Sequence, residues 1–322
     1  MSCSTTPSGQ PLALTWPTDA AQTALVDLSD ISRPRTLCTL TNAYSLVRFY
    51  SASEISYVPY SGLTTSTGTP SRLVRTDVTH QSTQTYATAA SGTIEAWDWS
   101  PDGKTLAYFA GGQLWLKTGN QSAAPIASFQ GQGGRGGGWD DEIAIRFSPS
   151  GTYFVLVHTV TIPNTFQIRR ATDGAVVWSS PSTDVRAPGF ATMAVWSRGV
   201  DRLWFRDGSG VRRWDPSGTV TTIVPGLRWS EPSISPDGGT IAYVVVDAQV
   251  NPRVELLDLQ SLKVQALPSP LRWGPMFVST GLLLYVRAEG GGVPGQGVLA
   301  YNLTTRLETA LPYAELLDVW PT

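Results

Sequence analysis

Apolar and polar positions along residues 97–109, WDWSPDGKTLAYF, form two short strand-like runs around a sharp polar centre. The centre, Ser100-Pro101-Asp102-Gly103, is turn chemistry: proline fixes φ, aspartate bonds its own backbone, and glycine accepts positive φ. The flanking runs alternate or stay apolar over five or six residues, so the stretch reads as a hairpin. It returns as Ser235-Pro236-Asp237-Gly238 followed by Thr240-Ile241-Ala242-Tyr243, a near copy of Thr105-Leu106-Ala107-Tyr108. Weaker copies are Thr6-Pro7-Ser8-Gly9, Ser148-Pro149-Ser150-Gly151, Ser197-Arg198-Gly199 and Ser279-Thr280-Gly281, each followed by an apolar run. Their spacing of roughly 40 to 50 residues is that of a four-stranded propeller blade.

The SPDG turn, followed by a small or basic polar residue, an aliphatic residue, alanine and an aromatic residue, resembles the TolB-like bacterial β-propeller repeat. The resemblance covers most of the chain, close in two copies and eroded in the others. It implies an all-β propeller and, by likeness to that family, a periplasmic or cell-surface location, with a cytoplasmic one still open. It does not imply an activity, because one fold hosts many functions.

The whole chain, 1–322, is expected to form a single propeller domain. The blades read as 43–90, 93–130, 141–182, 190–226, 228–269 and 271–313, with a composite blade from 1–41 and 314–322. In the composite blade Pro11 to Trp16, Thr23 to Asp27 and Arg35 to Leu40 give three strands. Leu316 to Trp320 supplies the innermost, which pairs two edges otherwise left open. This makes seven blades where TolB-like propellers usually have six. Segment 43–90 is the uncertain one, since Ser51-Ala52-Ser53 lacks the proline and glycine of the turn; as an insertion it would leave six.

Composition agrees with this architecture: 41% hydrophobic residues, 31 glycines, 23 prolines and 12 tryptophans, with only 15% charged, suit short strands and tight turns. No run approaches the ~18 apolar residues of a membrane span. A formal charge of −2 gives no electrostatic reason to expect nucleic acid. Of the two cysteines, Cys38 reads as a small buried hydrophobe, and Cys3 as a lipidation site whose leader is absent. A Cys3–Cys38 disulfide is the remaining option.

The links between second and third strands, 59–71, 158–165, 247–252 and 288–297, are the long ones and share an end of the blades with the glycine-rich segment 131–140. Binding is expected there. Around the entries to the innermost strands lie Glu95, Trp139, Asp141, Glu142, Glu231 and Glu315, with two copies of one element, Arg228-Trp229-Ser230-Glu231-Pro232 and Arg272-Trp273-Gly274-Pro275. The expected binding residues are Trp139, Asp141, Glu142, Arg228, Trp229, Glu231, Arg272 and Trp273: indole faces for a sugar ring or apolar side chain, charges for orientation. Equally, repeated Arg-Trp pairs serve packing, and a ring of carboxylates suits a cation.

No catalytic residue, resident metal or cofactor is assigned. His80 and His158 have no partner at metal-ligand or triad spacing, and no GxSxG elbow is present. The expected function is a monomeric, non-catalytic scaffold for a protein or carbohydrate partner. The alternatives are a carbohydrate-active enzyme using paired carboxylates and a sensor domain of a larger protein.

Overall fold

Hairpin chemistry propagates into sheet after sheet. The computed structural model describes the chain except for residues 5–6, 8–9, 18–21, 44–46, 60–70, 90–91, 130–142, 159–164, 181–192, 250, 290–292 and 321–322. The described secondary structure is entirely strand and turn.

The first blade contains β1 (Ser2–Cys3), β2 (Leu12–Trp16), β3 (Gln22–Asp27) and β4 (Arg35–Thr41). The second is β5 (Val47–Ser51), β6 (Glu54–Tyr57), β7 (Arg72–Asp77) and β8 (Ser82–Thr88). The third is β9 (Ile94–Trp99), β10 (Thr105–Ala110), β11 (Gln113–Thr118) and β12 (Ala124–Ser128). The fourth is β13 (Ile143–Phe147), β14 (Tyr153–His158), β15 (Thr165–Arg170) and β16 (Val176–Ser179). The fifth is β17 (Ala194–Trp196), β18 (Leu203–Asp207), β19 (Gly210–Trp214) and β20 (Val220–Pro225). The sixth is β21 (Ser230–Ile234), β22 (Thr240–Val246), β23 (Pro252–Asp258) and β24 (Val264–Pro270). The seventh is β25 (Arg272–Ser279), β26 (Leu282–Glu289), β27 (Val293–Asn302) and β28 (Glu308–Ala310), and β29 (Glu315–Trp320) returns to the first. These are the seven antiparallel blades of a β-propeller.

Segment 43–90 is therefore a blade and not an insertion. Ser51 pairs with Glu54 across a two-residue link, so a hairpin forms there without proline or glycine. In the first blade the order is β1-β4-β3-β2-β29, with Leu12 opposite Trp320 and Trp16 opposite Glu315, so the two ends of the chain share one sheet. The link expected at 288–297 is partly strand, since Ala288 pairs with Pro294 and Glu289 with Val293.

By Cα packing, residues 1–67, 72–88 and 233–322 form one compact unit, and 68–71 with 89–232 the other. In the first unit Leu12, Leu14 and Leu25 of the first blade pack with Val47, Ile55 and Val74 of the second. Leu267 of the sixth blade packs with Phe277, Leu283 and Tyr301 of the seventh. In the second unit Phe109 and Leu114 meet Ile145 and Phe154, and Val155 and Ile168 meet Phe205 and Trp214. Each such fully buried side chain contributes roughly 1.5–3 kcal/mol.

The tight turns are closed cages. Ser100 Oγ donates to Asp102 Oδ1 at 2.6 Å and accepts from Thr105 N at 2.8 Å, while Asp102 Oδ1 also takes Lys104 N at 3.0 Å. Ser235 and Asp237 repeat the pattern, with Thr240 N on Ser235 Oγ at 3.0 Å. The serine hydroxyl, followed by a backbone N–H, holds both aspartates below the usual carboxylate range. Gly103 and Gly238 have φ of 69° and 74°, the left-handed region that a side chain disfavours. Gly103→Ala and Gly238→Ala should each cost about 1 kcal/mol or more in urea unfolding. Asp102→Asn, which keeps the oxygen acceptor, should cost clearly less.

A feature the strand pattern did not predict is β1, which adds a fifth strand to the outer edge of the first blade and places Cys3 directly opposite Cys38. The two form a disulfide. Cys38 is buried in the core, as expected, but as a half-cystine, and the reading of Cys3 is corrected: a sulfur bonded to Cys38 cannot carry a thioether lipid. Closing a loop with a sequence separation of 35 restricts the unfolded chain by about 3–4 kcal/mol in the entropic treatment. Reduction, or Cys38→Ser, is expected to lower the unfolding free energy by up to that amount; an unchanged urea midpoint in reductant would contradict it.

Candidate functional site

The entries to the innermost strands decide which expected residues a partner can reach. Trp139, Asp141 and Glu142 lie outside the described residues. Arg228, Trp229 and Glu231 belong to the unit containing 89–232, whereas Arg272 and Trp273 belong to the other.

Trp229 is 0% exposed and Trp273 9%. Trp229 Nε1 donates to Met193 O at 3.1 Å, and its own carbonyl accepts from Arg206 Nη1 at 3.1 Å. An indole this deep has no face to offer a ligand, so the expectation of aromatic contact surfaces at these two positions is corrected: Trp229 is bonded to the fifth blade, and Trp273 is buried in β25. Arg272 is likewise engaged. It forks onto Glu308, with Nε to Oε2 at 3.0 Å and Nη2 to Oε1 at 2.7 Å, and Tyr285 OH donates to Glu308 Oε2 at 2.7 Å. Burial pushes the Glu308 carboxyl up, but the Arg272 fork and the Tyr285 hydroxyl outweigh it and hold it below its usual value.

The sixth blade carries a related trio in the strands behind its entry. Tyr243 OH donates to Glu255 Oε2 at 3.0 Å, and Arg253 Nε donates to Glu255 Oε1 at 2.8 Å. Burial, then the neighbouring carboxylates, pushes the Tyr243 and Tyr285 hydroxyls far up. Both tyrosines occupy the aromatic position of the repeat, but their acids come from strands whose sequence does not repeat.

Arg228 and Glu231 remain accessible, the first exposed and the second half-buried at the start of β21. Glu231 has φ 48°, in the left-handed region, and so does Gly274 at 58°. Both precede a proline, Pro232 and Pro275, although Glu231 lies two residues after Trp229 and Gly274 one residue after Trp273. The seventh blade uses glycine at its positive-φ residue; the sixth holds a glutamate there against its preference.

The first blade contributes two acids that the expected set left out. A bulge in β29 places Leu14 opposite Asp318 but Thr15 opposite Leu316, and Trp16 opposite Glu315. Leu14 and Trp16 are two apart on β2 and share a face, so the bulge brings Glu315 and Asp318, three apart, onto one face as well. Asp318 Oδ2 accepts the Phe49 N–H at 2.8 Å from β5 and Oδ1 accepts its neighbour Val319 N–H at 2.9 Å. Burial still outweighs these bonds and Arg48, and pushes Asp318 up to about 6. Burial alone pushes Glu315 up to about 7. His158, packed 4.9 Å from the Phe109 ring, is pushed down to about 4 by burial and is neutral at physiological pH.

The cause of Glu315's shift gives a pH signature. A carboxyl with a higher pKa folded than unfolded binds its proton more tightly in the native state. Its favourable contribution is complete below the unfolded value near 4.5 and is lost as pH rises through about 7. Glu315→Gln mimics the protonated form at every pH. The variant should gain stability relative to the parent as pH is raised from about 5 to 8, whereas a constant difference in urea midpoint would refute the shift.

No protein-family model matches the chain, and no curated protein matches it in sequence. Solved structures do match. TolB from Acinetobacter baumannii superposes with a TM-score of 0.57 at 15% identity over 99% of this chain and 68% of that one. An oligogalacturonate lyase in complex with manganese gives 0.57 at 12% over 94% and 85%. The β-propeller domain of the Trilobed protease from Pyrococcus furiosus gives 0.55 at 14% over 84% and 82%. A prolyl endopeptidase gives 0.59 at 12% identity, with this chain spanning 50% of its length. What they share with this chain is the fold. That fold is a TolB-like propeller, which this chain builds with seven blades, and the Trilobed protease domain's open velcro topology contrasts with the β2–β29 pairing here.

Proposed function

We propose that the chain is a non-catalytic binding scaffold, acting as one monomeric domain, that takes a protein or carbohydrate partner at the blade ends where the long connections gather. The observation that carries this reading is Glu231, an accessible acid held in a left-handed backbone conformation three residues after exposed Arg228, whereas the residue before the corresponding proline in the sister copy is glycine. Strain of about 1 kcal/mol or more persists where the side chain has a use. Arg272 pairs with Glu308 and Arg253 with Glu255, and Arg228 and Glu231 are the charged groups that we assign to orienting the partner. The Cys3–Cys38 disulfide supports an extracytoplasmic, oxidising location.

A second reading, a carbohydrate-active enzyme, draws on Glu315 and Asp318. A carboxyl near 7 and another near 6 on one face are what an acid and base working near neutrality require.

One experiment separates them. Oligosaccharide and peptide panels are titrated by calorimetry, and the same samples are assayed for new reducing ends and unsaturated products. We expect saturable binding without product. Glu231→Gly should weaken that binding at least ~10-fold while leaving stability unchanged or raised by about 1 kcal/mol. Unchanged affinity would reduce Glu231 to a backbone irregularity, and turnover abolished by Glu315→Gln would establish the enzyme.

A further inference from the structure

Apolar cores between neighbouring blades must be sealed at the tight-turn end, and two boundaries show how. Between the third and fourth blades Gly151 sits so close to Ser100 and Pro101 that an added Cβ would lie 3.3 Å from each. Between the fourth and fifth, Ser150 N donates to Asp201 Oδ1 at 3.0 Å and its hydroxyl bonds the other oxygen. Between the sixth and seventh blades a pocket of about 180 Å³ opens instead. Leu267, Phe277 and Tyr301 of the shared core lie buried beneath it, and half-buried Leu256 and Leu303 supply its accessible apolar floor.

The rim carries one charge of each sign. Asp237 is clamped by its turn: Oδ1 receives the Ser235 hydroxyl and the Gly239 N–H at 3.1 Å, and among the described residues Oδ2 takes no hydrogen bond. Those same bonds keep the carboxyl ionised well below neutral pH. Arg306 stands on the turn between β27 and β28, where its N–H bonds Asn302 O at 2.8 Å. Asn302 Oδ1 ties down Thr304 N at 2.9 Å and Thr305 N at 2.8 Å. The guanidinium has no ion-pair partner among the described residues, and its planar fork matches a carboxylate. Thr240 and Thr280 add hydroxyls between the two charges.

An apolar floor beneath a fixed anion and a cation on a short, tethered turn is complementary to a zwitterion with an apolar substituent. We propose that this pocket binds a free α-amino acid with an aliphatic side chain. Its carboxylate meets Arg306, its ammonium meets Asp237 Oδ2, and its side chain covers Leu256 and Leu303. The volume suits this ligand, since a cavity of ~150 Å³ accommodates benzene. The pocket lies among the tight turns and is independent of the partner surface around Glu231.

The test is ligand-observed NMR with L-leucine, N-acetyl-L-leucine and L-leucinamide on the full chain. L-Leucine should saturate with a dissociation constant in the millimolar range or below, and blocking either terminus should weaken it about tenfold or more. Arg306→Gln should abolish the preference for leucine over leucinamide. Asp237→Asn, which keeps the turn's oxygen acceptor, should abolish the preference over N-acetyl-leucine, with melting temperatures unchanged in both. Absence of saturation up to about 50 mM, or equal binding of all three compounds, would overturn the proposal. Retention of both preferences in the two variants would do so as well.

Discussion

The innermost strand of each blade is an edge strand, hydrogen-bonded on one side only, and its other row of N–H and C=O groups must be satisfied without a ladder. Four of the boundaries meet this with a side chain reaching across. Asp98 Oδ2 of the third blade accepts Phe147 N of the fourth at 2.7 Å, Ser233 Oγ of the sixth accepts Phe277 N of the seventh at 3.1 Å, and Asp318 Oδ2 of the first accepts Phe49 N of the second at 2.8 Å. Between the fourth and fifth blades the direction reverses, with Trp196 Nε1 donating to Arg146 O at 2.9 Å. One bond satisfies an orphan donor, sets the height of one blade against the next, and brings the phenylalanine that follows into the shared core. The two acids and the serine do one job at one place.

That explains how far the chain could be read. A turn is local chemistry, so SPDG, its glycines and the strands on either side were legible, and so was the composite first blade, whose missing strand had a candidate at the other terminus. The second blade was harder because Ser51 and Glu54 close their hairpin without turn residues. β1 is two residues long, too short to carry a periodicity, and its pairing is set by Cys38, 35 residues away.

The candidate site was less legible because burial is a property of the assembled blade. Arg228-Trp229 and Arg272-Trp273 look alike in sequence, yet one arginine is exposed while the other is locked onto Glu308, 36 residues downstream. Whether an arginine is available depends on an acid that no spacing rule connects to it. The bulge at Leu317 is equally hidden: by strict alternation Glu315 and Asp318 fall on opposite faces, and only the pairing with β2 shows that they share one.

The closing strand concentrates these effects. Asp98 and Asp318 are both half-buried and Ser233 bears no charge; at Asp318 the surroundings push the carboxyl up to about 6. A serine would accept the Phe49 N–H without that desolvation cost. The carboxylate has a second oxygen, and it uses it on Val319 N in its own strand, just beyond the bulge. One side chain thus fixes the strand that joins the chain's two ends both to the second blade and to its own irregular register. Those two bonds and Arg48 favour the charged form, while burial opposes it. The acid that ties the first blade to the second is therefore also poised to respond to a proton.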